Sequence, residues 1–113
     1  AYFSKLGTVY FNLKKFDQAV NAYNSAIALR GDLPNRYINL GLSHEAMCDF
    51  AAAAQAVRKA LEKSPDNLSY LALLSEFLIK AGQTAGAQEI LERILELEPT
   101  NAQARQRLMA LKF

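Results

Sequence analysis

Residues 39–50 read NLGLSHEAMCDF, and residues 5–16 read KLGTVYFNLKKF. Taken alone, the first stretch holds His44, Glu45, Cys48 and Asp49, the side-chain types of a metal site or a nucleophile–base pair. His44 and Cys48, four apart, would share one face of a helix. Aligned with each other, the two stretches put Leu6 on Leu40, Gly7 on Gly41 and Phe16 on Phe50, each pair 34 residues apart. The register continues, with Ala19 on Ala53 and Ala87, Ala26 on Ala60, Leu40 on Leu74 and Pro65 on Pro99. A fixed period of about 20 to 50 residues marks stacked supersecondary units rather than one irregular core.

Each unit reads as two amphipathic helices. Pro34 suits a first helical turn, and Tyr37, Leu40, Gly41 and His44 follow along one face of a helix ending near Met47. Asp49 is placed to cap the next helix, which carries Phe50, Ala53, Val57, Ala60 and Leu61 before Ser64-Pro65 stops it. The third unit repeats the scheme with Leu71, Leu74 and Leu78, a turn at Gly82, then Ala87, Leu91, Ile94 and Leu95 before Pro99. Gly7, Gly41 and Ser75 remove bulk where a first helix crosses its partner, and Ala19, Ala53 and Ala87 do the same on the returning helix, so the axes can approach to about 8 Å. The expected fold is an all-α solenoid of antiparallel hairpins in one domain, with repeats at 1–33, 34–67 and 68–101 and a capping helix, or the start of a fourth repeat, at 102–113.

This pattern resembles the tetratricopeptide repeat family. The first repeat matches with Phe3, Leu6, Gly7, Tyr10, Phe16, Ala19, Tyr23 and Ala26, and Gly31 replaces the closing proline. The second matches with Tyr37, Leu40, Gly41, Phe50, Ala53, Ala60 and Pro65, with His44 and Val57 in aromatic positions. In the third, Leu71, Leu74, Ala87 and Pro99 fit, while Ser75, Leu78, Thr84, Leu91 and Ile94 depart. The resemblance implies a right-handed superhelix whose concave side, lined by first helices, binds peptides or partner helices.

Composition narrows the function. The charge of +2, with no basic run longer than Lys14-Lys15, is no footprint for nucleic acid or an anionic membrane. No segment approaches the roughly 20 apolar residues of a membrane-spanning helix, so direct membrane insertion is not expected. One cysteine excludes an internal disulfide framework and leaves cytoplasm, the default, and periplasm both open. The chain opens on Ala1 already in a helical pattern, as a piece cut from a longer polypeptide would. Its leading edge, Tyr2 and Phe3, is then a surface for self-association.

No glycine-rich phosphate loop, Gly-x-Ser-x-Gly turn or His-Glu-x-x-His helix is present, so no enzyme, cofactor or metal is expected. His44 stands where Tyr10 and Leu78 stand in their repeats, which predicts a packed core histidine; Cys48 matches Lys14 and Gly82 in the turn, and no further His or Cys completes a zinc shell. The groove positions implied by the resemblance are Ser4, Thr8, Phe11 and Asn12; Asn35, Ile38, Asn39, Leu42, Glu45 and Ala46; and Ser69, Ala72, Leu73, Glu76, Ile79 and Lys80, with Gln103, Gln106 and Arg107 extending the groove. Phe11 and Ile38 are the expected anchors. Asn35, Asn39, Glu45 and Lys80 would orient a bound segment. A protein or peptide partner is expected there, with a spacer in a longer array, assembling through its ends, as the alternative. Acidic chaperone tails are not expected to bind, because the family's Lys-Asn-Asn-Lys-Arg clamp is replaced by Ser4, Thr8, Asn39, Ser69 and Leu73.

Overall fold

The structure, a computed structural model, describes residues 1–112. Phe113, the last residue of the expected capping segment, lies outside the described residues. Seven helices and no strand occur among them: α1 (Tyr2–Asn12), α2 (Phe16–Leu29), α3 (Pro34–Ala46), α4 (Phe50–Lys63), α5 (Leu68–Lys80), α6 (Thr84–Leu97) and α7 (Ala102–Lys112). α3, α5 and α7 begin 34 residues apart, and each helix packs chiefly on its neighbours in sequence. The result is an α-solenoid measuring 43 × 25 × 18 Å. Its radius of gyration of 14.6 Å exceeds the roughly 13 Å of a compact chain of about 100 residues, as stacking along one axis requires.

Local chemistry sets where the helices begin. Pro34 occupies the first turn of α3, where its missing N–H costs no hydrogen bond. Asp49 Oδ1 accepts from the Ala52 N–H at 3.2 Å, Asn67 Oδ1 from Tyr70 at 3.1 Å and Asn101 Oδ1 from Ala104 at 2.8 Å, capping α4, α5 and α7.

The first helices of the hairpins end alike. Lys14, Cys48 and Gly82 take φ of 61°, 60° and 79°. After each, an N–H reaches back five residues: Lys15 to Tyr10 O, Asp49 to His44 O and Gln83 to Leu78 O. A three-residue return accompanies each one, from Lys14 to Phe11 O, Cys48 to Glu45 O and Gly82 to Ile79 O. This Schellman arrangement satisfies the last carbonyls and turns the chain back into the second helix. Cys48 therefore terminates a helix, in a conformation that glycine adopts more cheaply.

The small residues sit at the crossings. A Cβ on Gly41 would lie 3.2 Å from the Ala53 carbonyl oxygen, and one on Gly7 would meet the Tyr23 ring at 2.7 Å. Ser75, Ala19, Ala53 and Ala87 are fully buried. Most of the large buried side chains belong to the later helices: Val57, Leu74, Phe77 and Leu78 form one cluster, and Leu71, Leu91, Ile94 and Ala104 the next.

Two side chains depart from the sequence pattern. His44 is half-buried rather than packed into the core: it lines a crevice of about 300 Å³ with Tyr37, Leu40, Gln55 and Lys59. Ala52 and Ala56, the α4 residues beside it, are too short to close that crevice over the imidazole. Arg36, unremarked in the sequence, is buried, and its Nη1 donates to the Ala26 carbonyl at the end of α2. A cation is favoured there by the carbonyl ends of the preceding helix.

Candidate functional site

The face made by the first helices, α1, α3, α5 and α7, carries the residues expected to line the groove, and the helical hairpins bring them together in two groups. Thr8, Phe11, Asn39 and Leu42 enclose a pocket of about 140 Å³ with Tyr23 at its base. Thr8 Oγ1 and the Tyr23 hydroxyl are 3.0 Å apart, and Thr8 also donates to Ser4 O at 3.1 Å. Phe11 leans edge-on against Phe16, with ring centroids 5.3 Å apart, so one side of it is spoken for and the other faces the pocket. Tyr23, which the sequence marked only as a match to the repeat pattern, joins the site through its hydroxyl, which reaches Thr8 across the hairpin.

The second group is electrostatic. Lys80 Nζ donates to Glu45 Oε2 at 2.9 Å, lies 3.8 Å from Glu76 Oε1 and stands 5.6 Å above the centroid of the Phe50 ring. The hydrogen bond to Glu45, ahead of the attraction of Glu45 and Glu76, raises the Lys80 pKa above the ordinary lysine value. Glu45 and Lys80 thus answer each other across adjacent hairpins.

The remaining positions are more dispersed. Ile38, Leu42 and Leu73 are half-buried against the core cluster, Ala72 is half-buried, and Ile79 is exposed. Asn12, Asn35 and Ala46 are exposed and join neither group. At the far end, Arg107 Nη1 lies 3.5 Å from both Ala72 O and Ser75 Oγ, laid along α5. Cys48 is exposed, and among the described residues no three His, Cys, Asp or Glu side chains gather closely enough to hold a metal ion.

Family models for the tetratricopeptide repeat match residues 46–111 and, as a TPR repeat, residues 7–47. The chain belongs to the tetratricopeptide repeat family. Among curated proteins it is 36% identical over 100 residues to the BBSome complex member BBS4 of Bos taurus, covering 88% of this chain and 19% of that one, so it spans under a fifth of that relative's length. Among the solved structures that share the fold are two peptide complexes. The second TPR domain of human RPAP3, in complex with the HSP70 peptide SGPTIEEVD, superposes with a TM-score of 0.81 at 22% identity, covering 98% of this chain and 92% of that one. The Yersinia enterocolitica type III secretion chaperone SycD, in complex with a peptide of the translocator YopD, gives 0.82 at 17% identity, covering 98% and 90%. Among the described residues, no helix of these repeats is long and apolar enough to cross a membrane.

Proposed function

We propose that the chain is a non-catalytic interaction module that binds a peptide or helix of a partner protein along its first-helix face. The observation that carries this reading is the pocket between Thr8, Phe11, Asn39 and Leu42, an apolar depression with polar edges that crosses from the first hairpin to the second. Leu42, Ile38 and Leu73 continue the apolar strip, while the Glu45–Lys80 pair bounds it. Fold relatives that hold peptides, SycD and RPAP3, lend support by analogy.

Phe11 would act as the anchor for an apolar side chain, since groups at the centre of a contact patch carry most of its energy. Ile38, half-buried on the core, would shape the surface beneath. Asn35, Asn39, Glu45 and Lys80 would orient the bound segment. Acidic tails such as SGPTIEEVD would find few cations, because Ser4, Thr8, Asn39, Ser69 and Leu73 stand at the positions of the family's clamp.

The test is selection of 12-residue peptides from a display library on the immobilised chain, followed by titration of the enriched sequences. Asn39→Arg and Thr8→Arg would fill the pocket from exposed or half-buried positions and should weaken binding at least tenfold. Enriched peptides whose affinity ignores both substitutions would overturn the reading, as would an absence of enrichment.

A further inference from the structure

The crevice beside His44 recurs one period on. Ile27, Tyr37, Leu40, Ala56 and Lys59 line the first, between α2, α3 and α4. The residues 34 further on, Leu61, Leu71, Leu74, Ile90 and Arg93, line a second of about 550 Å³ between α4, α5 and α6. None of these residues belongs to the first-helix groove. The two crevices differ in charge. Arg93, at the second, is held by Asp66 at 2.7 Å and Glu96 at 3.4 Å, and Glu62 lines that crevice as well. Lys59 is exposed and forms no ion pair among the described residues, and no acid lines the first crevice.

Register accounts for the difference. Asp66 answers Arg93, and its counterpart one period earlier is Asp32, which Arg30 already grips through Nε at 2.9 Å and Nη2 at 3.0 Å. The counterpart of Arg30 is Ser64, so no arginine stands there to draw Asp66 away. Lys59 is thereby left with its charge unanswered. His44 adds a second unmet group. Its counterpart Leu78 is fully buried, whereas His44 is half-buried in the crevice wall, and its buried Nδ1 has no hydrogen-bond partner among the described residues. An unpaired buried nitrogen carries its full desolvation penalty, which a hydrogen bond with an occupant would relieve once the ring turns toward it.

The lining selects the occupant. Ile27, Tyr37, Leu40, Ala52 and Ala56 make the walls apolar, and about 300 Å³ is the small end of the range for binding pockets, room for one large side chain. Asn24, Gln55 and Lys59 are exposed at its edge. Each amide offers a donor and an acceptor, the complement of a peptide unit, and the ammonium calls for a carboxylate. We propose that this crevice is a peptide site separate from the first-helix groove. It takes a leucine- or phenylalanine-sized side chain of a partner segment and seats an adjacent aspartate or glutamate of that segment on Lys59.

The probe is the capped peptide GSFESG, titrated into the isotope-labelled 113-residue chain and followed by amide chemical shifts, with GSFQSG and GSSESG as controls. Saturable shifts should gather at Ile27, Tyr37, Leu40, His44 and Ala56, and both controls should bind at least tenfold more weakly. Lys59→Glu, at an exposed position, and Ala52→Leu, which would fill the crevice, should each reduce affinity at least tenfold while the circular dichroism of the chain is unchanged. Arg30→Ala should also weaken binding, by releasing Asp32 to Lys59, and adding Asp32→Asn should restore it. Five outcomes overturn the proposal: no saturable shifts; shifts centred on Thr8, Asn39 and Leu42; equal binding by GSFQSG; affinity unmoved by Arg30→Ala; or binding of phenylacetate as tight as that of GSFESG, which would make a small free acid the occupant.

Discussion

Lys80 Nζ lies 2.9 Å from Glu45 Oε2, an ion pair that ties α5 to α3 between residues 35 apart in sequence. The pair holds Lys80 in its charged form above the ordinary lysine pKa, so its contribution to stability is complete below the unfolded-state value and is lost as pH rises through the raised one. Glu45→Gln should return the Lys80 titration, followed by NMR of the side-chain Nζ, toward the ordinary value. An unchanged midpoint would mean that Glu76 and the Phe50 ring suffice.

Cys48 occupies the left-handed residue after α3 that Gly82 occupies after α5. Cys48→Gly should stabilise the chain by about 1 kcal/mol in denaturant unfolding, and Gly82→Ala should destabilise it by a similar amount, since a Cβ in this conformation clashes with its own backbone. The opposite signs check that conformation and not side-chain chemistry sets the preference.

Gly7 stands inside α1, where alanine would ordinarily favour the helix by about 1 kcal/mol. Its added Cβ would approach the buried Tyr23 ring to 2.7 Å. Gly7→Ala should therefore destabilise, by about 1 to 3 kcal/mol, and release the Tyr23 hydroxyl from Thr8. The NMR resonances of the Tyr23 ring and the unfolding midpoint would report both effects.

Arg30 grips Asp32 with two bonds, Nε to Oδ1 at 2.9 Å and Nη2 to Oδ2 at 3.0 Å. That grip, chiefly the hydrogen bonding from Arg30, lowers the Asp32 pKa to about 2 from 3.8. A lowered folded-state value places the stabilisation above the unfolded pKa and removes it as pH falls toward 2. The melting-temperature gap between the wild type and Asp32→Asn should hold constant above about pH 5 and close between about pH 4 and 2, with a small amplitude because the pair is exposed.

By itself, the sequence determined the helical hairpins and their stacking. Leu, Gly, Ala and Pro recurring every 34 residues constrain helix crossings and chain reversals, which are local and obey steric rules readable from residue type. Asp49 as a cap and the turn at Gly82 belong to the same class of signal. Tertiary structure alone decided the rest. Arg36 became buried where its guanidinium meets the carbonyl end of α2, and His44 stayed half-buried beside the short side chains of Ala52 and Ala56. Lys80 found Glu45, and Tyr23 found Thr8. Such relationships depend on which side chains of different helices meet, and a period specifies where helices lie without specifying what their neighbours contribute.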